Sequence, residues 1–382
     1  MSVEGIGPRW LEIDLGQLST NLKAIAALAA PASVIPVIKA DAYGHGAVEV
    51  ARHLESEGCK LAAVGTLEEA VRLRREFIRM DLLLLAPLPA GEIPELLMHQ
   101  ITPTLTDAAA AQKLDEHART LGLVVAAHLY LDTGMGRAGA GLDEVALEWE
   151  KIRHLKNVRI AALYSHLSAA DEDDGDSRAF TLDQWRQLKE ARKNLKGAPA
   201  LLHIANSAGV LFHPECHAGA VRPGLLCYGL SPRPASPPPD PIRPVLAMKC
   251  RPLAVRVLEA GASVGYGRAF RLARRGRIMT LPVGYADGVP RRLAPHLQVL
   301  AGGRLFPVAG RICMDMMMVD LGDSEVDPDS EVTLIGAGAQ DLHAWARWGE
   351  TIPYELLAGL GRRWDRCYLK PDGRILARKA GG

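Results

Sequence analysis

No stretch of this chain is apolar for long enough to cross a membrane. The longest hydrophobic runs are strand-sized, and Met1 to Leu18 mixes charge with proline, so neither an anchor nor a signal peptide is expected. Charge of one sign is missing too. Lys and Arg total 45 against 44 for Asp and Glu, which leaves no electrostatic footprint for nucleic acid or an anionic membrane. The six cysteines (Cys59, Cys216, Cys227, Cys250, Cys313, Cys367) form neither a C-x-x-C pair nor a compact framework. Reduced thiols in a cytoplasmic protein are expected, without a structural disulfide.

What is present is a rhythm. The 382 residues suffice for about two domains on the usual ~150-residue guide, each able to bury its own core. From residue 34 to about 222, short apolar runs alternate with longer amphipathic stretches such as Leu67 to Phe77, Asp107 to Leu121 and Thr181 to Leu195. Strand candidates begin near Val34, Leu61, Leu82, Ile101, Val124, Ile160, Leu201 and Ala220. Repeated βα units of that number predict an α/β fold with an N-terminal (β/α)8 TIM-type barrel over residues 12–240. The fourth run carries Pro103 and the eighth is short, so they are its weakest members. An open doubly wound sheet satisfies the same count, but no G-x-G-x-x-G follows the first strand.

Ser231 to Pro244 is too proline-rich for a helix or a central strand and reads as a stiff linker. Beyond it, short β-like runs broken by glycines (245–258, 278–283, 298–300, 316–321 and 331–335) predict a mostly β C-terminal domain over 241–382. Residues 1–11 are candidates to join it. Within it, Thr351 to Leu360 reads as a helix, with Pro353 in its first turn and Gly359 and Gly361 at its end.

Lys39 ends the β-branched run that starts at Val34, and Gly44 and Gly46 separate it from a helical pattern near Ala47. That places an amine at the C-terminal mouth of a barrel strand, where such folds put reacting groups. A lysine partly withdrawn from water there can form a Schiff base with a carbonyl. Position alone is also satisfied by a solvated lysine at a strand end. Asp132 to Arg137, Tyr164-Ser165-His166, His203 to Gly209 and Val221 to Gly224 fall on the same predicted rim. Asn206 or Ser207 can cap a following helix and make a phosphate seat. Taken singly each is a turn or a cap; their convergence on one rim points to a site.

Val37-Ile38-Lys39-Ala40-Asp41-Ala42-Tyr43-Gly44-His45-Gly46 resembles the pyridoxal phosphate lysine motif of alanine racemases. The other sequences follow in that family's order. They are Asp132 to Arg137, Tyr164 to Leu167, His203 to Ser207, Val221 to Gly224, Val264 to Gly267, Gly284 to Gly288, Arg311 to Asp315 and Ile352 to Glu355. The likeness spans nearly the whole chain, and it implies a pyridoxal 5'-phosphate enzyme interconverting L- and D-alanine in the cytoplasm, supplying D-alanine for peptidoglycan. It also implies a homodimer in which the β domain of one subunit completes the barrel site of the other.

By residue matching, Lys39 would hold the cofactor covalently. Tyr43, Ser207 and Tyr354 would bind its phosphate through hydroxyls, with the backbone at Gly224 and Leu225. Arg222 would face the pyridine nitrogen, supported by His203 and His166. Arginine stays cationic and donates, so it disfavours protonating that nitrogen and weakens the electron sink. Racemisation removes a proton from one face of Cα and returns it on the other. Lys39 would serve one face and Tyr266 of the partner subunit the other. A free phenol with a pKa of about 10 is a weak base at neutral pH, so Tyr266 needs support, which the His166 and Arg222 network offers. Arg137 and the backbone at Met314 match substrate-carboxylate contacts. Tyr285 matches the inner entrance wall, where crowding favours a methyl side chain, and Asp171, Arg311 and Asp315 lie in matching entrance or supporting motifs.

One position departs from the family pattern. Many members carry a carbamylated lysine where this chain has Tyr130, and a phenol cannot make that carbamate. Arg137 therefore needs another partner, a bound chloride or a rearranged hydrogen bond. Other features read plainly. Asp171 to Asp176 is a solvated acidic loop; His213 to His217 holds potential metal ligands without zinc spacing, so no metal is expected; Cys313 lies near substrate contacts without being catalytic. A broad-specificity amino-acid racemase is the close alternative. A fold-related decarboxylase would place an acid where Arg222 stands, a non-catalytic pyridoxal phosphate-binding protein would leave Tyr266 without a purpose, and a cofactor-free Schiff-base aldolase would leave the phosphate-site residues unexplained.

Overall fold

The computed structural model describes residues 6–378. They form two compact units: one from Ser19 to Arg243 apart from Tyr43–Gly46, the other from Pro244 onward together with Tyr43–Gly46 and the described residues up to Leu18.

The first unit is the (β/α)8 barrel. Leu61–Val64, Asp81–Pro87, Thr102–Leu105, Val125–Asp132, Val158–Tyr164, Leu202–His203 and Ala220–Val221 run parallel, each beside the next in chain order. Ser33–Val34 pairs with Ala220–Val221, and Ile35 and Val37 continue that ladder by donating to the carbonyls of Val221 and Pro223. On its other side Ile38 N–H donates to Ala63, and Ala63 N–H donates to Pro36. The first strand therefore meets both the last and the second. Pro36 lacks the donor that a regular ladder needs here, which leaves the strand short by hydrogen-bond pattern although its course is complete.

Strands buried on both faces should be continuously apolar, and Leu82, Leu83 and Leu84 are at most 1 % exposed. The helices between strands start on side-chain caps: Thr66 and Glu69 form a capping box for Leu67–Arg75, and Asp107 accepts from Ala110 N–H at 2.7 Å before Ala108–Thr120. The acidic run is not wholly a loop. Asp174 accepts from Ser177 N–H at 2.9 Å and caps Gly175–Asn194, so Gly175 and Asp176 begin a helix, where negative charge complements the N-terminal dipole. Ser231 to Pro244 carries no helix or strand.

The second unit is mostly β. Its seven-stranded sheet runs Arg304–Pro307, Gln298–Ala301, Val332–Ile335, Leu246–Cys250, Arg9–Asp14, Asp365–Leu369, Ile375–Arg378. Arg9–Asp14 lies inside it, antiparallel to Leu246–Cys250 and parallel to Asp365–Leu369, with Leu11 and Ile13 fully buried. A three-stranded sheet, Ala254–Leu258, Gly276–Leu281 and Met317–Gly322, packs Ile278 in a small core with Val264, Leu272 and Ala309. The late helix is Pro353–Ala358. All six cysteines are free, and no helix among the described residues is long and apolar enough to cross a membrane.

Candidate active site

Strand register builds the floor of the barrel site. Tyr130 is directly opposite Tyr164, and Tyr164 is directly opposite His203. Neighbouring strands sit about 4.8 Å apart, so same-face rings in register must stack: Tyr130 lies on Tyr164 at 4.7 Å and 7°, and Tyr164 on His203 at 4.8 Å and 13°. The Tyr164 hydroxyl meets Thr104 Oγ1 at 2.7 Å, and burial pushes its pKa up to about 12.

Arg222, 3 % exposed, sits over the Tyr164 ring with its guanidinium carbon 5.0 Å from the centroid. Its Nη1 donates to His203 Nδ1 and to the His203 carbonyl at 3.0 Å; its Nη2 donates to the Ser165 carbonyl at 2.7 Å and to His166 Nδ1 at 3.3 Å. Arginine can only donate, so both imidazoles accept at Nδ1 and carry their proton on Nε2. His203 Nε2 then donates to His128 Nδ1, 3.0 Å away. The Nε of Arg222 has no acceptor among the described residues. Burial lowers the Arg222 pKa to about 10, which leaves a cation at neutral pH.

The same burial, with the Arg222 charge, lowers His166 to about 3 and His128 to about 4, and holds His203 well below its ordinary value. These rings stay neutral in the folded protein while the unfolded chain protonates below about pH 6.5. A depressed histidine pKa therefore removes stability as pH falls from the unfolded toward the folded value. Buried His128 and His203 both contribute to that loss across the window. A Tm measured from pH 7 to pH 5 should fall; a flat Tm would contradict neutral rings in the fold.

Lys39 lies at the rim of this unit. Burial first, then the Arg137 and Arg222 charges, hold its amine below the ordinary lysine range, while Glu69 opposes them. The backbone that follows is unusual: Ala40, Asp41, Ala42 and Tyr43 all have φ between 52° and 55°, a left-handed turn without a glycine. Such a conformation costs about 1–2 kcal/mol per residue. Ser207 is 2 % exposed, and its Oγ accepts from the N–H groups of Gly224 at 3.0 Å and Leu226 at 3.1 Å, which leaves its own O–H to donate. Gly224's N–H is thus already used, and Leu225's has no acceptor among the described residues.

Arg137 projects from a loop folded around Asp132, whose carboxylate accepts from Gly134, Met135 and Gly136. Exposed, it has no hydrogen-bond or ion-pair partner among the described residues. Tyr130 does not supply one. Its ring is committed to the stack, and its hydroxyl, buried, also lacks a partner among the described residues. Exposed Asp171 lies on the acidic turn held by Arg233 of the linker, which donates to the carbonyls of Ala170 at 3.2 Å and Asp171 at 2.9 Å while covering the Phe212 ring. His213 and His217 spend Nε2 on the carbonyls of Ala170 and Val210.

The β unit carries the remaining candidates. Tyr266 is 69 % exposed between Gly265 (φ 71°) and Gly267 (φ 69°). A Cβ at Gly267 would lie 3.0 Å from Arg311 Nη1, so Arg311 packs on this turn. The loops bearing Tyr285 and Met314 are joined by backbone bonds, Tyr285 N–H to Cys313 and Ala286 N–H to Met314, both 3.0 Å. A Cβ at Gly284 would lie 2.2 Å from the Met314 carbonyl, so that crossing requires glycine. Arg363 ties the same loops together through Asp315 at 2.8 Å and buried Asp287 at 3.4 Å. The Tyr43 and Tyr354 rings lie 6.1 Å apart.

His128, Glu69 and Arg363 were not singled out in the sequence. His128 had a signal: it stands two residues before Tyr130 on one strand, and period-two alternation puts both on the inward face.

Comparison with known proteins identifies the family on independent grounds. The family model for "Alanine racemase, N-terminal domain" matches residues 13–232, and that for "Alanine racemase, C-terminal domain" matches residues 245–368. The chain is 38% identical over 375 residues to the alanine racemase of Symbiobacterium thermophilum, covering 96% of this chain and 99% of that one. Its fold is similar to the solved alanine racemase of Clostridium difficile 630, with TM-score 0.89, 31% identity and 100% of both chains covered. It is also similar to alanine racemase from Bartonella henselae with covalently bound pyridoxal phosphate, with TM-score 0.84, 28% identity, and 95% and 99% covered. With both halves matched in order and full-length relatives well above 30% identity, the chain belongs to the alanine racemase family.

Proposed function

We propose that this protein interconverts L- and D-alanine with pyridoxal 5'-phosphate, as a cytoplasmic homodimer providing D-alanine for peptidoglycan synthesis. The observation that carries this reading is the buried Arg222, which spends both terminal nitrogens on imidazoles and carbonyls and has, among the described residues, no acceptor for Nε, the donor suited to meet a ring nitrogen. The remaining donors suit the same group. Lys39 has an amine of lowered basicity to bond a carbonyl, and Ser207 O–H and Leu225 N–H are neutral donors fit for a phosphate. Tyr43 and Tyr354 add hydroxyls. When bound, pyridoxal phosphate delocalises the electron pair left on Cα once the α-proton is removed.

The chain's own residues do the rest. Arg222, cationic and backed by neutral His203 and His166, presents a donor that keeps the ring nitrogen unprotonated and limits side reactions. Arg137, without a hydrogen-bond or ion-pair partner among the described residues, and the backbone at Met314 orient the substrate carboxylate. Lys39 takes or returns the proton on the face serving D-alanine. Tyr266 of the partner subunit does so on the face serving L-alanine; His166, whose Nε2 carries its proton, is a donor available to steady the phenolate. Exposed Tyr266, Tyr285, Met314 and Ile352 on one unit support a surface completed by a second copy.

The purified protein should show a visible absorption band from its cofactor and should convert either alanine enantiomer to a racemic mixture. Chiral chromatography over alanine, serine and larger amino acids checks it. Turnover of larger side chains at rates similar to alanine would favour the broad-specificity alternative; no band and no conversion would defeat the reading.

A further inference from the structure

We propose that Glu69 is a positioning residue that clasps the left-handed turn after Lys39 and so fixes where the Lys39 amine sits. This deepens the racemase reading and rests on it. Ala40 to Tyr43 hold positive φ without a glycine, so the turn needs outside contacts to persist. Glu69, four residues beyond Gly65 on the helix Leu67–Arg75, provides them. Its Oε1 accepts from Ala40 N–H, the first amide after Lys39, at 2.6 Å. Its Oε2 accepts from Gly65 N–H at 2.8 Å and Thr66 N–H at 3.3 Å.

One carboxylate therefore binds the end of the second barrel strand to the residue following Lys39. The fit is close: a Cβ on Gly65 would lie 3.3 Å from both Glu69 Oε2 and Lys39 Cβ. The far side of the turn is held separately, by Asp41 Oδ1, which accepts from Ala47 N–H at 2.9 Å and pairs with Arg72 at 3.2 Å. Arg137 and Arg222 are cations that disfavour the protonated Lys39 amine, and Glu69 is an anion that favours it. Glu69 thus fixes position and opposes two positive neighbours at once.

A helix-capping role alone would be reproduced by Thr66→Ala, which removes the Thr66 half of the capping box and leaves the bond to Ala40. The test compares Glu69→Gln with Thr66→Ala in the cofactor-loaded protein. Three readouts are followed: Tm, the rate at which hydroxylamine bleaches the visible band, and the acid limb of kcat for D-alanine. Glu69→Gln should bleach severalfold faster than the unaltered protein and move the acid limb to lower pH, because an anion that favoured the protonated amine is gone. Thr66→Ala should lower Tm only. Identical behaviour of the two variants would overturn the proposal. If Glu69→Gln fails to fold, Glu69→Asp, which keeps the charge one methylene short of Ala40, should bleach faster; bleaching at the unaltered rate would overturn it equally. A missing band in the unaltered protein would defeat the racemase reading instead. Labelling of Lys39 by acetic anhydride against pH, located by mass spectrometry, then decides: its midpoint falls in Glu69→Gln, and an unmoved midpoint refutes the role of Glu69.

Discussion

Lys39→Ala is expected to lose its cofactor band on gel filtration and to lower racemisation by on the order of 10³-fold or more. Two losses combine. The covalent link disappears, and so does the group proposed to exchange a proton with D-alanine, itself a contribution of roughly 10²- to 10⁴-fold. Arg222 keeps its hydrogen bonds to His203 and Ser165, so pyridoxal phosphate should still bind reversibly through Ser207 and the Arg222 network. Absorbance after gel filtration separates the outcomes. A band that survives with unchanged intensity would mean that another lysine carries the cofactor.

Tyr266→Phe should keep the band and lose proton exchange on one face. Because the enantiomers have equal free energy, kcat/KM must fall equally in both directions, by roughly 10²- to 10⁴-fold, so steady-state rates alone cannot assign the face. Exchange without conversion can. In deuterated water, D-alanine should continue to exchange its α-proton through Lys39, while L-alanine should scarcely exchange. Phenylalanine preserves the ring on the Gly265–Gly267 turn, where Arg311 packs, so only the hydroxyl is tested. Equal slowing of exchange for both enantiomers would argue against two bases.

The barrel was legible because its strands are buried on both faces: runs such as Leu82 to Leu84 leave no amphipathic ambiguity. Arg9–Asp14 was harder. It alternates only briefly, and its neighbours in the sheet lie more than 230 residues away in sequence, so nothing local assigns it to an interior position. The acidic run misled through composition. Charge clusters usually mark solvated loops, but aspartate is also a favoured N-cap, and Asp174 serves as one. The left-handed turn after Lys39 was not legible, since Ala-Asp-Ala-Tyr has no intrinsic preference for positive φ and contacts to the turn, such as that from Glu69 to Ala40 N–H, come from another element. Tyr130 shows a further limit. A phenol in place of a lysine raised the question of what orients Arg137; the register of three strands explains the phenol as part of an aromatic stack, with no carboxylate paired to Arg137 among the described residues.

The central claim is that one site removes and restores the α-proton of alanine from both faces. The direct measurement is nuclear magnetic resonance of L-alanine and D-alanine, each incubated separately with the purified protein in deuterated water, with chirality followed in parallel. Loss of the α-proton signal from both enantiomers, together with convergence on a racemic mixture, is the predicted result. Retention of the α-proton in both, or exchange of one enantiomer without any interconversion by the unaltered protein, would contradict the account.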